Sequence, residues 1–254
     1  MSRRPMISRR ELLVGAGALL AGCNTRRPQE GLLGGFDRFN GKVQQALFSP
    51  GRLAATPSED ATTDPDAFPQ YKIGPAFPAV PAGWTLDVGG MVQRPMALSM
   101  DALRKLDRTE MRVRHHCVEG WSAVASWQGV RLAELAQLVK PAPEARFVEF
   151  VSFEAAPDRG DAAPDAKSNP SAATTLARTY TSSWDRESAL HPQTMLAYGM
   201  NGQPLPLEHG GPLRLYGSVK LGYKMVKWLA AVRFLPQPTG GFWEDQGYEW
   251  FAGV

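Results

Sequence analysis

The sequence predicts an α+β fold of mixed β-sheets, short helices and long loops, and three observations carry that prediction. Glycine and proline are abundant, with 25 and 21 copies in 254 residues, which breaks the chain into short elements. Runs with strand character are brief, as at Trp84–Gly90 and Phe147–Phe153. Beyond residue 67, stretches with helical spacing span ten residues or fewer.

Taken in order, residues 1–23 read as an export leader. Ser8-Arg9-Arg10-Glu11-Leu12-Leu13 is a twin-arginine pattern, and it runs into the apolar stretch Leu12–Ala21, too short to anchor in a bilayer. That route exports proteins already folded, often around a cofactor, so the expected compartment is the periplasm. Leu20-Ala21-Gly22-Cys23 resembles a lipoprotein cleavage box, which would make Cys23 a lipid-bearing N-terminus. Residues 24–66 read as a linker and wrapping arm, with a short amphipathic piece at Phe36–Phe48, and residues 67–254 as the folded domain.

Within the domain, Trp84–Gly90 alternates like an edge strand ending at glycines. Ser99 to Leu106 predicts a short helix capped by Ser99, with Met100, Leu103 and Leu106 on one face. Val130–Val139 predicts a second, with Leu132, Leu135 and Leu138 on one side. Phe147–Phe153, Leu213–Tyr216 and Trp228–Leu235 are strands, and Asp158–Tyr180 is a long polar loop. The aromatic tail, Gly241–Phe251, is expected to pack back over the domain.

Composition narrows the function. Seven Trp and eleven Phe supply ample apolar area, which excludes a disordered chain. Of 28 basic and 25 acidic residues, four arginines and one glutamate precede Cys23, leaving 24 of each. The body therefore has no net positive field for nucleic acid. Cys23 and Cys117 are the two cysteines, so with Cys23 lipidated or removed no disulfide framework exists.

Arg114-His115-His116-Cys117-Val118-Glu119-Gly120-Trp121-Ser122 concentrates reactive side chains. Neighbouring His115 and His116 on a strand face opposite sides and do not share one zinc ion, and His191 and His209 are scattered. A Cys-His nucleophile pair would need a third group to hold its base, and nothing local supplies one. A single thiolate can instead complete a metal site whose other sulfurs belong to an organic cofactor.

Four ordered runs carry a resemblance. They are Cys117-Val118-Glu119-Gly120-Trp121-Ser122 with Trp127–Leu132; Ala189–Tyr198; Asn201–Pro206 with His209–Leu215; and Leu221–Trp228. In these runs residues 68–254 resemble the molybdopterin-binding domain of the sulfite oxidase family, closest to its periplasmic methionine-sulfoxide reductase branch. The resemblance implies that fold, and a mononuclear molybdenum held by Cys117 and one molybdopterin. It implies cofactor contacts from Ser152, His209, Arg214, Met225, Val226 and Lys227, with Tyr71 and Lys72 at a looser Tyr-Glu match. Departures are His209 for an Asn, Ser152 for a Thr, Met225 for a Gly and Lys72 for a Glu. Glu119, two residues from the ligand and so on the same side of an extended segment, is the candidate proton carrier, while Arg114 and His116 could bind an anionic substrate or brace the site. The Trp residues at 121, 127, 184 and 228 are expected in the core.

The implied activity is two-electron oxygen-atom transfer, reducing S- or N-oxides or, alternatively, oxidising sulfite; a cofactor-free surface-binding lipoprotein is the rival of another class. With Val254 as its last residue the chain is expected to lack the immunoglobulin-like domain that many family members carry, and it has no Cys-x-x-Cys-His haem motif. A separate electron-transfer protein is therefore expected, a membrane cytochrome b or a soluble cytochrome c.

Overall fold

The computed structural model describes residues 31–156 and 179–254, so the leader, Cys23 and nearly all of the loop expected at 158–180 lie outside the described residues. Helix α1, Gly31–Leu47, occupies much of the expected linker. The chain after it lies along the body. Ala54 N donates to Gln193 Oε1 (2.8 Å), Gln193 Nε2 donates back to Ala54 O (3.0 Å), and Phe48 meets the Phe251 ring edge-on.

Strands β1 (Leu86–Gly90) and β2 (Met96–Leu98) pair antiparallel and lead into α2 (Met100–Arg104). Ser99 caps α2 as expected, its Oγ accepting from Ala102 N at 3.2 Å, and Leu103 is buried. Strands β3 (Thr109–His116) and β4 (Ser122–Arg131) form a hairpin that runs directly into α3 (Leu132–Val139). Val130 and Arg131, expected as helix, remain strand because they pair with Leu196 and Met195. The buried stripe of α3 is Leu132, Leu135, Ala136 and Val139, while Leu138 is 38% exposed. A three-residue spacing drifts off a 3.6-residue face, and the small Ala136 lies on the true stripe.

Next come β5 (Phe147–Ala155), β6 (Thr179–Asp185), α4 (Arg186–Ala189), β7 (Thr194–Met200), β8 (Gln203–Pro204), β9 (Arg214–Gly217) and β10 (Leu229–Leu235). One sheet has the order β2-β1-β10-β5-β6; the other runs β3-β4-β7-β8, with β9 also pairing β7. β1 is not an edge strand, since it lies between β2 and a parallel β10. Its alternation, Leu86 and Val88 buried with Asp87 exposed, reports two different faces and says nothing about edges. Thr179 and Tyr180, expected in the loop, open β6.

Trp127, Trp184 and Trp228 are fully buried, as the sequence reading expected of them. The aromatic tail packs back over the domain. Phe242 N donates to Thr181 O (3.0 Å), and the fully buried Lys224 ammonium pairs with the buried Glu244 carboxylate, which also accepts from Ser182 Oγ at 2.7 Å. A second buried pair, Lys220–Asp185 (3.2 Å), ties the segment after β9 to the end of β6.

Candidate active site

The β3–β4 hairpin closes through a tight turn: Cys117 N donates to Trp121 O (3.0 Å) and Gly120 N to Cys117 O (3.1 Å). Gly120 has φ 90°, a left-handed conformation that suits glycine. This turn brings Cys117 and Glu119 together. Cys117 Sγ lies 3.7 Å from Glu119 Oε2, and Trp121 Nε1 donates to the same oxygen at 2.9 Å. The side chains therefore meet because the chain reverses, not because they alternate along a strand. Burial pushes the Cys117 thiol above its ordinary pKa.

His115 is the last inward residue of β3, 5% exposed and stacked on Trp121 with centroids 5.4 Å apart. Burial, and then the Arg214 charge, pull its pKa down to about 3, so the ring is neutral. Its Nδ1 is buried without a hydrogen-bond partner among the described residues. A Cβ on Gly222 would come within 2.5 Å of His115 Nε2, so that close backbone approach requires glycine. Strand alternation turns His116 to the other side, where neither it nor Arg114, which donates to Ser122 Oγ (3.2 Å), lines the cavity beside Cys117.

That cavity gathers Tyr71, Lys72, Cys117, Glu119, His209, Arg214, Met225 and Lys227. Arg214 opens β9 and is only 4% exposed. Its guanidinium donates to His209 O (2.8 Å) and lies 4.9 Å over Trp127, and no carboxylate pairs with it among the described residues. Burial lowers its pKa to about 10. Lys227 donates to Tyr71 O and sits 4.2 Å over the Trp228 ring. Gly210, at φ 107°, lets the backbone pass beneath both cations, where a Cβ would meet Lys227 Cβ at 2.9 Å and Arg214 Cβ at 3.2 Å. His209 is 3% exposed, and burial followed by the Arg214 charge lowers its pKa.

Two residues named from sequence as cofactor contacts also lie off the cavity wall. Ser152 is fully buried, and its Oγ donates to Trp228 O (3.2 Å) and accepts from Glu154 N (2.9 Å), so the hydroxyl is used inside the sheet. Val226 is fully buried, and its carbonyl accepts from Leu215 N at 2.8 Å. Sequence reasoning missed other wall residues: Phe68, His115, Tyr180, Trp243 and Tyr248. Trp121, expected in the core, also lines the cavity. The aromatic density of the tail was the available signal for Trp243 and Tyr248. Nothing local in sequence marks Phe68 or Tyr180.

Lys227 gives a pH prediction. Burial, then the neighbouring Arg214 charge, lower its pKa to about 7. The unfolded chain holds that proton up to about pH 10.4. Between these values the unfolded state binds more protons, so stability rises with pH. We expect the melting temperature of cofactor-free protein to climb from pH 7 to 8.5, and the climb to flatten in Lys227→Met. Parallel profiles for the two proteins would show that the native lysine is not depressed.

The described residues contain no group of three or more His, Cys, Asp or Glu able to hold a metal. Cys117 would therefore need its fellow ligands from a cofactor. The cavity fits a group with a soft metal and an anionic tail: a thiol at one part of the wall, and a buried guanidinium and a second cation with no acid neutralising the guanidinium.

The model of the oxidoreductase molybdopterin binding domain matches residues 74–243. The chain is 35% identical to a protein from Azospira oryzae provisionally named protein-methionine-sulfoxide reductase subunit YedZ1, over 99% of this chain and 88% of that one. It is 34% identical to the protein-methionine-sulfoxide reductase catalytic subunit MsrP of Xanthomonas axonopodis, over 67% of this chain and 52% of that protein, so that match spans about half of the relative. Among solved structures, the sulfane dehydrogenase SoxCD of Paracoccus pantotrophus aligns with a TM-score of 0.49 and 20% identity, over 61% of this chain and 39% of that one.

Proposed function

The chain belongs to the oxidoreductase molybdopterin-binding domain family, and from that premise we propose that it is an exported reductase that removes an oxygen atom from S- or N-oxides, with Cys117 as the protein's ligand to molybdenum. The observation that carries this reading is Arg214, a buried cation without a carboxylate partner among the described residues, in one cavity with Cys117 and Lys227. The names of the relatives support the direction of reduction.

When bound, molybdopterin and its metal supply two-electron oxygen-atom chemistry. The rest falls to the chain. The Cys117 thiolate would give the metal a soft protein ligand, and Glu119 Oε2 lies 3.7 Å from its sulfur. Arg214 and Lys227 would hold the cofactor's phosphate, the arginine with a fork and the lysine with a point charge. Buried His209, its ring hydrogen-bonded to the backbone at Pro65, lines the wall with Tyr71, Lys72 and Met225. Val226 and Ser152 act from behind it, through the backbone they brace.

Reducing a sulfoxide consumes two protons and two electrons and yields a sulfide and water. Glu119 is the carboxyl placed to hand on a proton, and Trp121 Nε1 holds it in place. Electrons arrive from a separate protein, for which a membrane cytochrome b suits relatives named as catalytic subunits and a soluble cytochrome c is the other candidate. The twin-arginine pattern supports export to the periplasm, and a lipid at Cys23 would keep the chain at the membrane beside such a donor.

The test is turnover of metal-loaded protein. With an artificial low-potential donor it should reduce methionine sulfoxide, and with an acceptor it should oxidise sulfite slowly or not at all. Fast sulfite oxidation without sulfoxide reduction would overturn the reading. Arg214→Ala should lower molybdenum and pterin content per chain about tenfold or more, because loss of a charge-assisted fork costs about 1.5–3 kcal/mol. Full occupancy in that variant would place the phosphate elsewhere.

A further inference from the structure

Helix α1 turns its polar side to the protein and its apolar side away. Gln44 Nε2 donates to Glu249 Oε2 (2.9 Å), its Oε1 accepts from Gly253 N (3.0 Å), and a Cβ on Gly41 would meet Glu249 at 3.3 Å. Facing outward are Phe36 (63% exposed), Phe39 (67%), Val43 (38%) and Leu47 (79%). Their spacing of three, four and four residues puts them on one stripe. A helix that packs only to bury its own apolar face would present the opposite side, so the stripe has another solvent to meet.

Three observations identify it. The helix begins at Gly31, eight positions after Cys23, where the lipoprotein-like cleavage box ends. Lys42 is exposed beside the stripe, at the angular position where a basic side chain reaches anionic headgroups. No described helix is long and apolar enough to cross a membrane, so α1 can lie on a bilayer but does not span one.

We propose that α1 is a membrane-surface helix that seats Phe36, Phe39, Val43 and Leu47 in the headgroup–acyl boundary of an anionic bilayer and holds the catalytic domain against it. The inference rests on the helix and the cleavage box before it, and holds whichever substrate the active site takes.

The experiment is co-sedimentation of the full chain, carrying Cys23→Ser to exclude an acyl anchor, with vesicles of phosphatidylcholine and phosphatidylglycerol. The comparison is the same chain with Phe39→Asp and Leu47→Asp. Each exposed apolar side chain withdrawn from lipid should weaken partitioning about tenfold or more. The double variant should therefore lose at least a hundredfold while its melting temperature and molybdenum content stay at parent values. Lys42→Glu should weaken binding to these vesicles and leave binding to pure phosphatidylcholine unchanged. Equal partitioning of parent and double variant would overturn the proposal, because the leader alone would then carry the binding. A parent that ignores vesicles would also overturn it, and would assign the stripe to a protein partner or a second copy.

Discussion

Cys117→Ser is expected to give a folded protein with the parent's melting temperature and no measurable sulfoxide reduction. Cys117 lies in a turn held by its backbone, through Cys117 N to Trp121 O and Gly120 N to Cys117 O, and a serine keeps both bonds. What changes is the donor atom. A thiol is readily deprotonated at a metal to a soft thiolate, whereas a serine hydroxyl is hard and stays protonated near neutral pH. Loss of an outer partner of a metal ligand typically costs 10–100-fold, so loss of the ligand itself should exceed about a hundredfold. Glu119→Gln is the informative companion. It should retain molybdenum and lose roughly 10²–10⁴ in turnover if the carboxyl passes a proton, because an amide still accepts from Trp121 Nε1 but has no proton to relay. Elemental analysis separates the two variants. Parent-level turnover in Cys117→Ser would remove the sulfur from the mechanism.

The sequence disclosed this site unevenly, for physical reasons. Cys117, Glu119, Arg214 and Lys227 stand in runs whose local chemistry is unusual, and the fold brings them to one cavity. The strand alternation that separates His115 from His116 was readable because a period of two is a local property. The meeting of Cys117 with Glu119 was expected for the wrong reason, since a turn and not a strand produces it. Ser152 shows the limit of position-by-position transfer: a hydroxyl conserves its chemistry, but whether it faces a cavity or a neighbouring carbonyl depends on packing around Trp228. Strands β2, β3, β4, β6, β7 and β8 went unassigned; β3 pairs with its hairpin neighbour β4, but β4 and β7 also depend on each other across a long stretch of chain, which no local pattern reports. β4 draws much of its pairing from Met195–Met200, about 70 residues on. His115 carries the most information that was missed. As half of a His pair it looked like a failed zinc site; in the fold it is a neutral ring whose Nδ1 has no partner among the described residues, lining the cavity that holds Cys117.

Glu244→Ala is expected to cause the largest loss of stability of any substitution outside the cavity. Glu244 is 3% exposed and Lys224 is fully buried, and the pair is sealed by Ser182 Oγ (2.7 Å) and by Ser183 O, which accepts from Lys224 Nζ at 3.0 Å. Burial lowers the lysine's pKa, and the carboxylate is the strongest influence holding the proton on. Removing the acid strands an ammonium away from water, at a cost of about 3–5 kcal/mol. At about 2–4 °C per kcal/mol for a domain of this size, the melting temperature should fall by roughly 6–20 °C. The consequence reaches the active site, because Glu244 anchors the tail that contributes Trp243 and Tyr248 to the cavity wall. Molybdenum retention should therefore fall with stability. The double variant Lys224→Met with Glu244→Leu discriminates between causes. If the stranded charge is the problem, an apolar pair of similar volume should restore most of the lost stability. If lost tail packing is the problem, the double variant should melt as low as the single one. A single variant that melts within about 2 °C of the parent, roughly the effect of 1 kcal/mol or less, would show that the native ammonium neutralises and that the ion pair does not hold the tail.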